Sequence, residues 1–185
     1  MKPFLEPILH YLRVKEIIKK IPRGSKVCDV CCGEKGSFLF DISDILEEGI
    51  GLDKDAENKR EGKILLKKSD LEKEISEKSN YFDCVILLAA IEHLNYPQEI
   101  IKECFRILKE GGKALITTPS AKGRWLLEFL SFRLGIVSPE QIKDHKHYFN
   151  KKEIFDLFVE AGFDRQKISL KEFEFGYNIF AEAIK

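Results

Sequence analysis

The chain has no net charge: 31 lysines and arginines stand against 31 aspartates and glutamates in 185 residues. No overall field draws it to a nucleic acid or an anionic membrane, so no nucleic-acid partner is expected. No apolar run approaches the length of a membrane span. The opening MKPFLEPILHYLRVKEIIKK is broken by Glu6, Arg13 and Glu16, too often for the apolar core of a signal peptide. Cysteines are few and odd in number. There are five, three of them clustered at Cys28, Cys31 and Cys32, which argues against a disulfide framework and for a reducing, cytoplasmic setting. Repeats, low-complexity tracts and dividing linkers are missing too. What remains is an ordinary balance of 44% hydrophobic and 34% charged residues, long enough for a single domain over residues 1–185 with a real core.

Periodicity organises that domain. Leu5, Ile8, Leu9 and Leu12, then Ile17, Ile18 and Ile21, make a helical stripe over residues 1–24 that stops near Pro22 and Gly24. KVCDVCC reads as a short buried strand, SFLFDISDILEE as a helix, and GIGLD as a strand ending in an acid. GKILLKKSD and YFDCVILLAA give the third and fourth strands, the latter apolar enough for a sheet centre. A helix from Pro97 to Glu110 is stopped by Gly111 and Gly112, and KALITTP is the fifth strand. Asn150, with Glu153 three residues on, caps a helix that ends at Gly162. QKISLKEFEF and YNIFAEAIK close the chain with only Gly176 as a turn candidate between them. The fold class is therefore α/β: a doubly wound, mostly parallel seven-stranded sheet with an antiparallel C-terminal hairpin.

The stretch KVCDVCCGEKGSF supports two chemistries. Cys28 and Cys31 form a C-x-x-C, but on a strand residues i and i+3 point to opposite faces, where they could not share an ion. A zinc site needs further ligands, and a redox pair belongs at a helix start. No metal is expected, and the cysteines read as small packed residues. The glycine-loop reading fits better. Gly33 and Gly36 lie between strand and helix, where the backbone can approach a ligand. Asp53 ends the next strand, 20 residues after Gly33, in position to accept both hydroxyls of a ribose.

At this point the chain resembles a family. VCDVCCGEKGSF is similar to the first motif of class I S-adenosylmethionine-dependent methyltransferases, and GLD to their ribose-binding acid. KSDLEK sits where they carry an adenine-side acid. FDCVILLAAIEHLNYP, ILKEGGKALITTP and DHKHYFNKKEIFDLFVEAGF resemble later segments of the ubiquinone/menaquinone-type branch. Two positions depart from the pattern: Cys31 stands where the first glycine is expected, and Lys35 where the third is, with Gly36 one place late.

The resemblance implies a Rossmann-like methyltransferase fold, S-adenosylmethionine as cofactor and S-adenosylhomocysteine as product. It implies that Asp29 anchors the loop or the cofactor's amino group, although a buried acid tying down loop N–H groups would look the same. Cys31, Gly33 and Gly36 would let the backbone approach, and Asp53 with Lys54 would hold the ribose. Asp70 and Leu71 would read the adenine, unless Asp70 is a helix N-cap. Leu88 and Ala89 would flank the sulfonium, or simply pack in the core. His93, His145 and His147 are candidates to take an acceptor proton, each equally suited to a structural hydrogen bond. His10, the remaining histidine, has no role assigned. The positioned sulfonium needs no obligatory base.

Residues 120–149 are the unusual stretch. Trp125, Leu126, Leu127, Phe129, Leu130, Phe132 and Leu134 are too apolar all round for a surface helix. Readings open for this substrate-side cover are a lid over a lipid-like acceptor, with Trp125, Phe129 and Tyr148 as contacts, a dimer face, a peripheral membrane contact, or packing on the sheet. The expected activity is methyl transfer to a small-molecule or lipid-like acceptor by a monomer or homodimer. The alternatives are a nicotinamide-dependent oxidoreductase, which would want a tighter glycine loop, and a non-catalytic cofactor-binding scaffold.

Overall fold

Strand β1 (Ser25–Val30) is buried along nearly its whole length, and a strand apolar on both faces belongs at a sheet's centre. The computed structural model of the protein describes residues 13–72, 74–120 and 146–185. In it β1 lies between β2 (Leu46–Asp53) and β5 (Phe82–Leu88), parallel to both. Beyond β2 come β3 (Lys59–Glu61) and β4 (Ile64–Lys68); beyond β5 comes β6 (Leu108–Pro119). β7 (Ile168–Phe173) and β8 (Asn178–Ile184) form the expected antiparallel hairpin, with β8 inserted against β6. The order is β3-β4-β2-β1-β5-β6-β8-β7.

Among the described residues the sheet has eight strands, one more than expected. β3, the additional one, pairs antiparallel with β4, and its residues Lys59, Arg60 and Glu61 are all exposed. Three charged residues on a solvent edge carry no apolar alternation, so nothing in the pattern marks them as a strand.

Helices cover both faces. Residues 13–18 are helical and, with α1 (Ser37–Asp41), bury Val14, Ile17, Phe38 and Leu39 on one side. On the other, α2 (Pro97–Ile107) and α3 (Lys151–Ala161) bury Ile100, Ile101, Cys104, Ile154 and Phe158. Each large apolar side chain removed from water contributes about 1.5–3 kcal/mol. Among the described residues no helix is long and apolar enough to cross a membrane.

Two predicted helices are shorter than expected. SFLFDISDILEE gives only the five residues of α1 and a 3-10 turn at Ser43–Ile45, because Leu46 and the glutamates after it already belong to β2. Leu46 is buried, and Glu48 accepts a hydrogen bond from the Tyr81 hydroxyl at 2.6 Å. α2 ends at Ile107 rather than Glu110. The N–H groups of Asn80 and Tyr81 take the carbonyls of Arg106 and Ile107 (3.0 and 2.8 Å), and Leu108 pairs with Phe82. The chain then bulges before pairing resumes between Lys113 and Cys84. α3 keeps its expected ends: a reciprocal capping box between Asn150 and Glu153, and Gly162 at φ 108°.

The predicted cover over 120–149 falls largely outside the described residues, and Trp125, Phe129 and His145 lie there, as does His10. Its two described ends meet, since Ser120 bridges Phe149.

Candidate functional site

A cleft of about 950 Å³ opens at the carboxyl ends of β1, β2, β4 and β5, which is where open parallel sheets place ligands. The β1–α1 loop forms one wall. β1 stops at Val30, and Cys31 turns into the left-handed region at φ 63°. Its N–H and that of Cys32 both donate to the Leu52 carbonyl (2.8 and 3.2 Å), which fixes the turn against β2. Glycine is the residue suited to that backbone, so the cysteine at this position is accommodated at a conformational cost. The pleat ends here as well. Cys28 and Cys31 pack against the same apolar cluster rather than opposite faces, which corrects the alternation argument.

Burial pushes the Cys31 thiol up to about 12, with Asp53 adding to it, and drives Cys28 far upward too. These are protonated thiols at neutral pH and poor nucleophiles. Among the described residues no group of three or more His, Cys, Asp or Glu side chains is arranged to hold a metal ion.

Gly33 follows at φ 73° with open space where a Cβ would project, and Gly36 at φ 54° sits over Leu66, whose Cδ2 would lie 2.5 Å from a Cβ. The first leaves the cleft wall open, and the second sets the loop down on β4. Asp53, at the end of β2, joins the two walls. Its Oδ2 accepts from the Gly33 N–H and its Oδ1 from the Asp55 N–H, both at 2.9 Å.

Asp29 stands directly behind the loop, 2% exposed, with Oδ1 buried and lacking a partner among the described residues. Burial, reinforced by the nearby Asp53 charge, raises its carboxyl to about 8. An orphaned acid under a glycine loop is the arrangement a cationic ligand group would relieve.

The far wall comes from loops. Ser69, exposed Asp70 and buried Leu71 follow β4, and no helix begins there among the described residues, so Asp70 caps none. Ala89, at φ 50°, leaves β5 with its N–H bonded to the Thr117 carbonyl at 2.9 Å. Ala90, His93 and Leu94 continue that wall. A polar strap closes the rim: Lys146 Nζ donates to Asn95 Oδ1 at 2.7 Å, and Asn95 Nδ2 to Glu72 Oε1 at 3.2 Å.

Of the sequence-predicted residues, Cys31, Gly33, Asp53, Lys54, Asp70, Leu71, Ala89 and His93 line this cleft. Asp29 and Gly36 are buried and do not line it, and Leu88 packs half-buried against the core on the α1 side. His147 lines a neighbouring cleft of about 610 Å³, with its ring edge-on to Phe149 and Nε2 3.3 Å from Glu153 Oε1. Tyr148 lines neither of the two clefts. Glu34, Asp55, Glu72, Asn95 and Lys146 were missed. They sit on irregular loops, and only proximity to the motif residues in sequence could have suggested the first two.

Glu92, beside His93, does not line the cleft and is 1% exposed. Thr118 Oγ1 donates to its Oε2 at 2.9 Å, and its carbonyl accepts the Lys146 N–H at 2.9 Å. Burial lifts its carboxyl to about 7, opposed by its own backbone N–H, the Thr118 hydrogen bond and the Arg13 charge.

Comparison with known proteins bears on this geometry. A family profile described as "Methyltransferase domain" matches residues 5–167. Mouse mitochondrial ubiquinone biosynthesis O-methyltransferase is 31% identical over 132 residues, 64% of this chain but only 34% of its own length. The demethylmenaquinone methyltransferase of Listeria monocytogenes is 27% identical over 184 residues, covering 84% of this chain and 77% of that protein. The crystal structure of an S-adenosylmethionine-dependent methyltransferase from Archaeoglobus fulgidus shares the fold at TM-score 0.71 and 19% identity, over 96% of this chain and 93% of that one.

Proposed function

The chain belongs to the class I S-adenosylmethionine-dependent methyltransferases, and from that premise we propose that it transfers a methyl group from S-adenosylmethionine to a lipid-like, quinone-type acceptor. The observation that carries the cofactor half is the sign of charge in the cleft. Among the described residues Glu34, Asp53, Asp55, Asp70 and Glu72 face it against two ammonium groups, Lys54 and Lys146. Behind them lies the orphaned carboxyl of Asp29. Such a lining favours a cationic ligand and repels a pyrophosphate. The five-residue α1 likewise offers little helix dipole to a dinucleotide's phosphates.

When bound, S-adenosylmethionine supplies a methyl group already activated on a sulfonium. The chain's own residues bind and orient. Asp53 accepts the ribose hydroxyls with the lone pairs that Gly33 and Asp55 leave free. Asp29 faces the amino group, Asp70 and the backbone of Leu71 the adenine, and Ala89 the region near the sulfur. His93, on the cleft wall, is the one of the described histidines to which we assign an acceptor's proton, while alignment of the acceptor supplies much of the rate.

The acceptor half rests on the two curated relatives, both named for quinone chemistry. Calorimetric titration with S-adenosylmethionine, S-adenosylhomocysteine and NAD tests the first half, with binding expected for the first two alone. Heat from NAD and none from the methyl donor would overturn it. Transfer of radiolabelled methyl to a hydroxylated quinol tests the second. Cofactor binding without transfer to any ring hydroxyl would overturn the quinone-type acceptor and leave the methyl transfer itself to another acceptor.

A further inference from the structure

The strap at the rim of the cofactor cleft is made of side chains alone, and the backbones beneath it are fixed. The Lys146 N–H donates to the Glu92 carbonyl at 2.9 Å, and the His147 N–H reaches the same oxygen at 3.4 Å. Glu92 is itself tied down through its carboxyl, which accepts from the Thr118 hydroxyl near the end of β6. Asn95 follows the 3-10 turn at Ile91–His93, where the Leu94 N–H returns to the Ile91 carbonyl at 3.3 Å, and Pro97 opens α2 two residues later. Glu72 follows Leu71, whose side chain belongs to the buried core. Three rooted positions thus carry three exposed residues.

The order of the groups matters. An ammonium can only donate and a carboxylate can only accept, so a bridge between them needs a group that does both. The Asn95 amide does. Its Oδ1 accepts from Lys146 Nζ at 2.7 Å, and its Nδ2 donates to Glu72 Oε1 at 3.2 Å. Glu72 stands after β4, Asn95 after β5 and Lys146 ahead of α3, so two bonds join three separate segments at one mouth. Both bonds face water, which competes for them, so they add little to the stability of the fold and break readily. Such a link is suited to opening.

Leu94, Asn95 and Lys146 also line the neighbouring cleft of about 610 Å³, so the strap stands on the border between the two clefts. Resting on the reading that the larger cleft holds S-adenosylmethionine, we propose that Glu72, Asn95 and Lys146 are a side-chain gate that controls entry of the cofactor and exit of its product. Closed, the two bonds cross the mouth. Rotation of the Lys146 and Asn95 side chains about their fixed backbones parts the strap and makes the two clefts one crevice. No backbone has to move, and exposed side chains change rotamer quickly. A gate slows arrival and departure alike, whereas a residue that merely grips the ligand slows departure alone.

NMR line shapes over a titration with S-adenosylhomocysteine give both rate constants and test this. The ammonium and carboxylate of that ligand cancel, so a change of charge in the strap leaves long-range attraction unaltered. Asn95→Ala, which removes both bonds, should raise the association and dissociation rate constants together, each by about tenfold, while their ratio moves by less than about threefold. Lys146→Met, which removes one bond, should raise both by less. Glu72→Gln keeps an acceptor at the end of the strap and should keep both rates slow. Faster dissociation with unchanged association in Asn95→Ala would make Asn95 a contact of the ligand and overturn the gate. Wild-type rates in every variant would overturn it too, leaving the strap a surface feature without a task. A wild-type protein that bound no S-adenosylhomocysteine would strike the cofactor reading itself, and the gate with it.

Discussion

Asp53 has both carboxylate oxygens engaged with backbone N–H groups before any ligand arrives, so it is already pointed into the cleft. In its proposed role, replacing it by alanine removes a charged acceptor from two ribose hydroxyls, and it takes away the bond to the Gly33 N–H. Cofactor binding should weaken by about 1.5–3 kcal/mol. Calorimetry on the folded Asp53→Ala protein checks this, and unchanged affinity would dismiss the ribose role. Asp29 makes a prediction of a different kind. Its folded carboxyl titrates near 8 against an ordinary 3.8, so between those values the folded chain holds a proton that the unfolded chain has released. Its contribution to stability is therefore complete below about 4 and is lost as pH rises towards 8. Melting temperatures of ligand-free wild type and Asp29→Asn should diverge across that window, the wild type falling relative to the variant as pH rises. Parallel curves would remove the premise. A cationic ligand beside Asp29 lowers its pKa, so titration at pH 7 in buffers of differing ionisation enthalpy should reveal net proton release on cofactor binding. Both acids were legible in the sequence, Asp53 from its spacing to Gly33 and Asp29 from the motif. The state of Asp29 was not, since burial depends on chains far away in the sequence. The side of the sheet taken by Cys31 was likewise hidden, because period-2 reasoning holds only while the strand lasts, and β1 ends one residue earlier.

At the scale of elements, the part of the cleft with no regular structure is held by a helix. Arg106 on α2 donates to the carbonyls of Ile75 (2.7 Å) and Glu77 (2.9 Å), while Glu103 accepts the Ile75 N–H at 2.9 Å. These bonds hold the far end of the loop that carries Asp70 and Leu71. Arg106→Met should cost about 1–3 kcal/mol of stability by orphaning those carbonyls, and weaken cofactor binding although it touches no cofactor. Denaturant unfolding and calorimetry together test it; lost stability with intact affinity would confine Arg106 to the core. Asn150→Ala, which breaks the α3 capping box far from β1, should cost about 1 kcal/mol in denaturant unfolding and leave cofactor affinity alone. Helices with marked ends, such as α3, could be read with their boundaries. α1 and the end of α2 could not. There the next strand captures residues that would continue a helix in isolation, and long-range pairing outweighs local propensity.

Taken as a whole, the molecule gathers its principal cleft on one half of one sheet. The loops of β1, β2, β4 and β5 surround that cleft, and β6 with the β7–β8 hairpin completes the sheet beyond it. The alternation of strands and helices announced this architecture, because each element buries a continuous apolar face. β3 did not announce itself, yet its sequence has a consequence for how the molecule behaves at high concentration. A sheet ends in a row of unpaired N–H and C=O groups, which is a template for the strands of another molecule. At this margin any incoming strand meets exposed Lys59, Arg60 and Glu61, whose ammonium, guanidinium and carboxylate groups would have to shed water to allow it. Three residues too short and too polar to add to the core thus act as a guard against polymerisation. Replacing Lys59 and Glu61 by valine should leave the melting temperature nearly unchanged while light scattering of concentrated solutions rises with time, as neighbouring molecules extend one another's sheets.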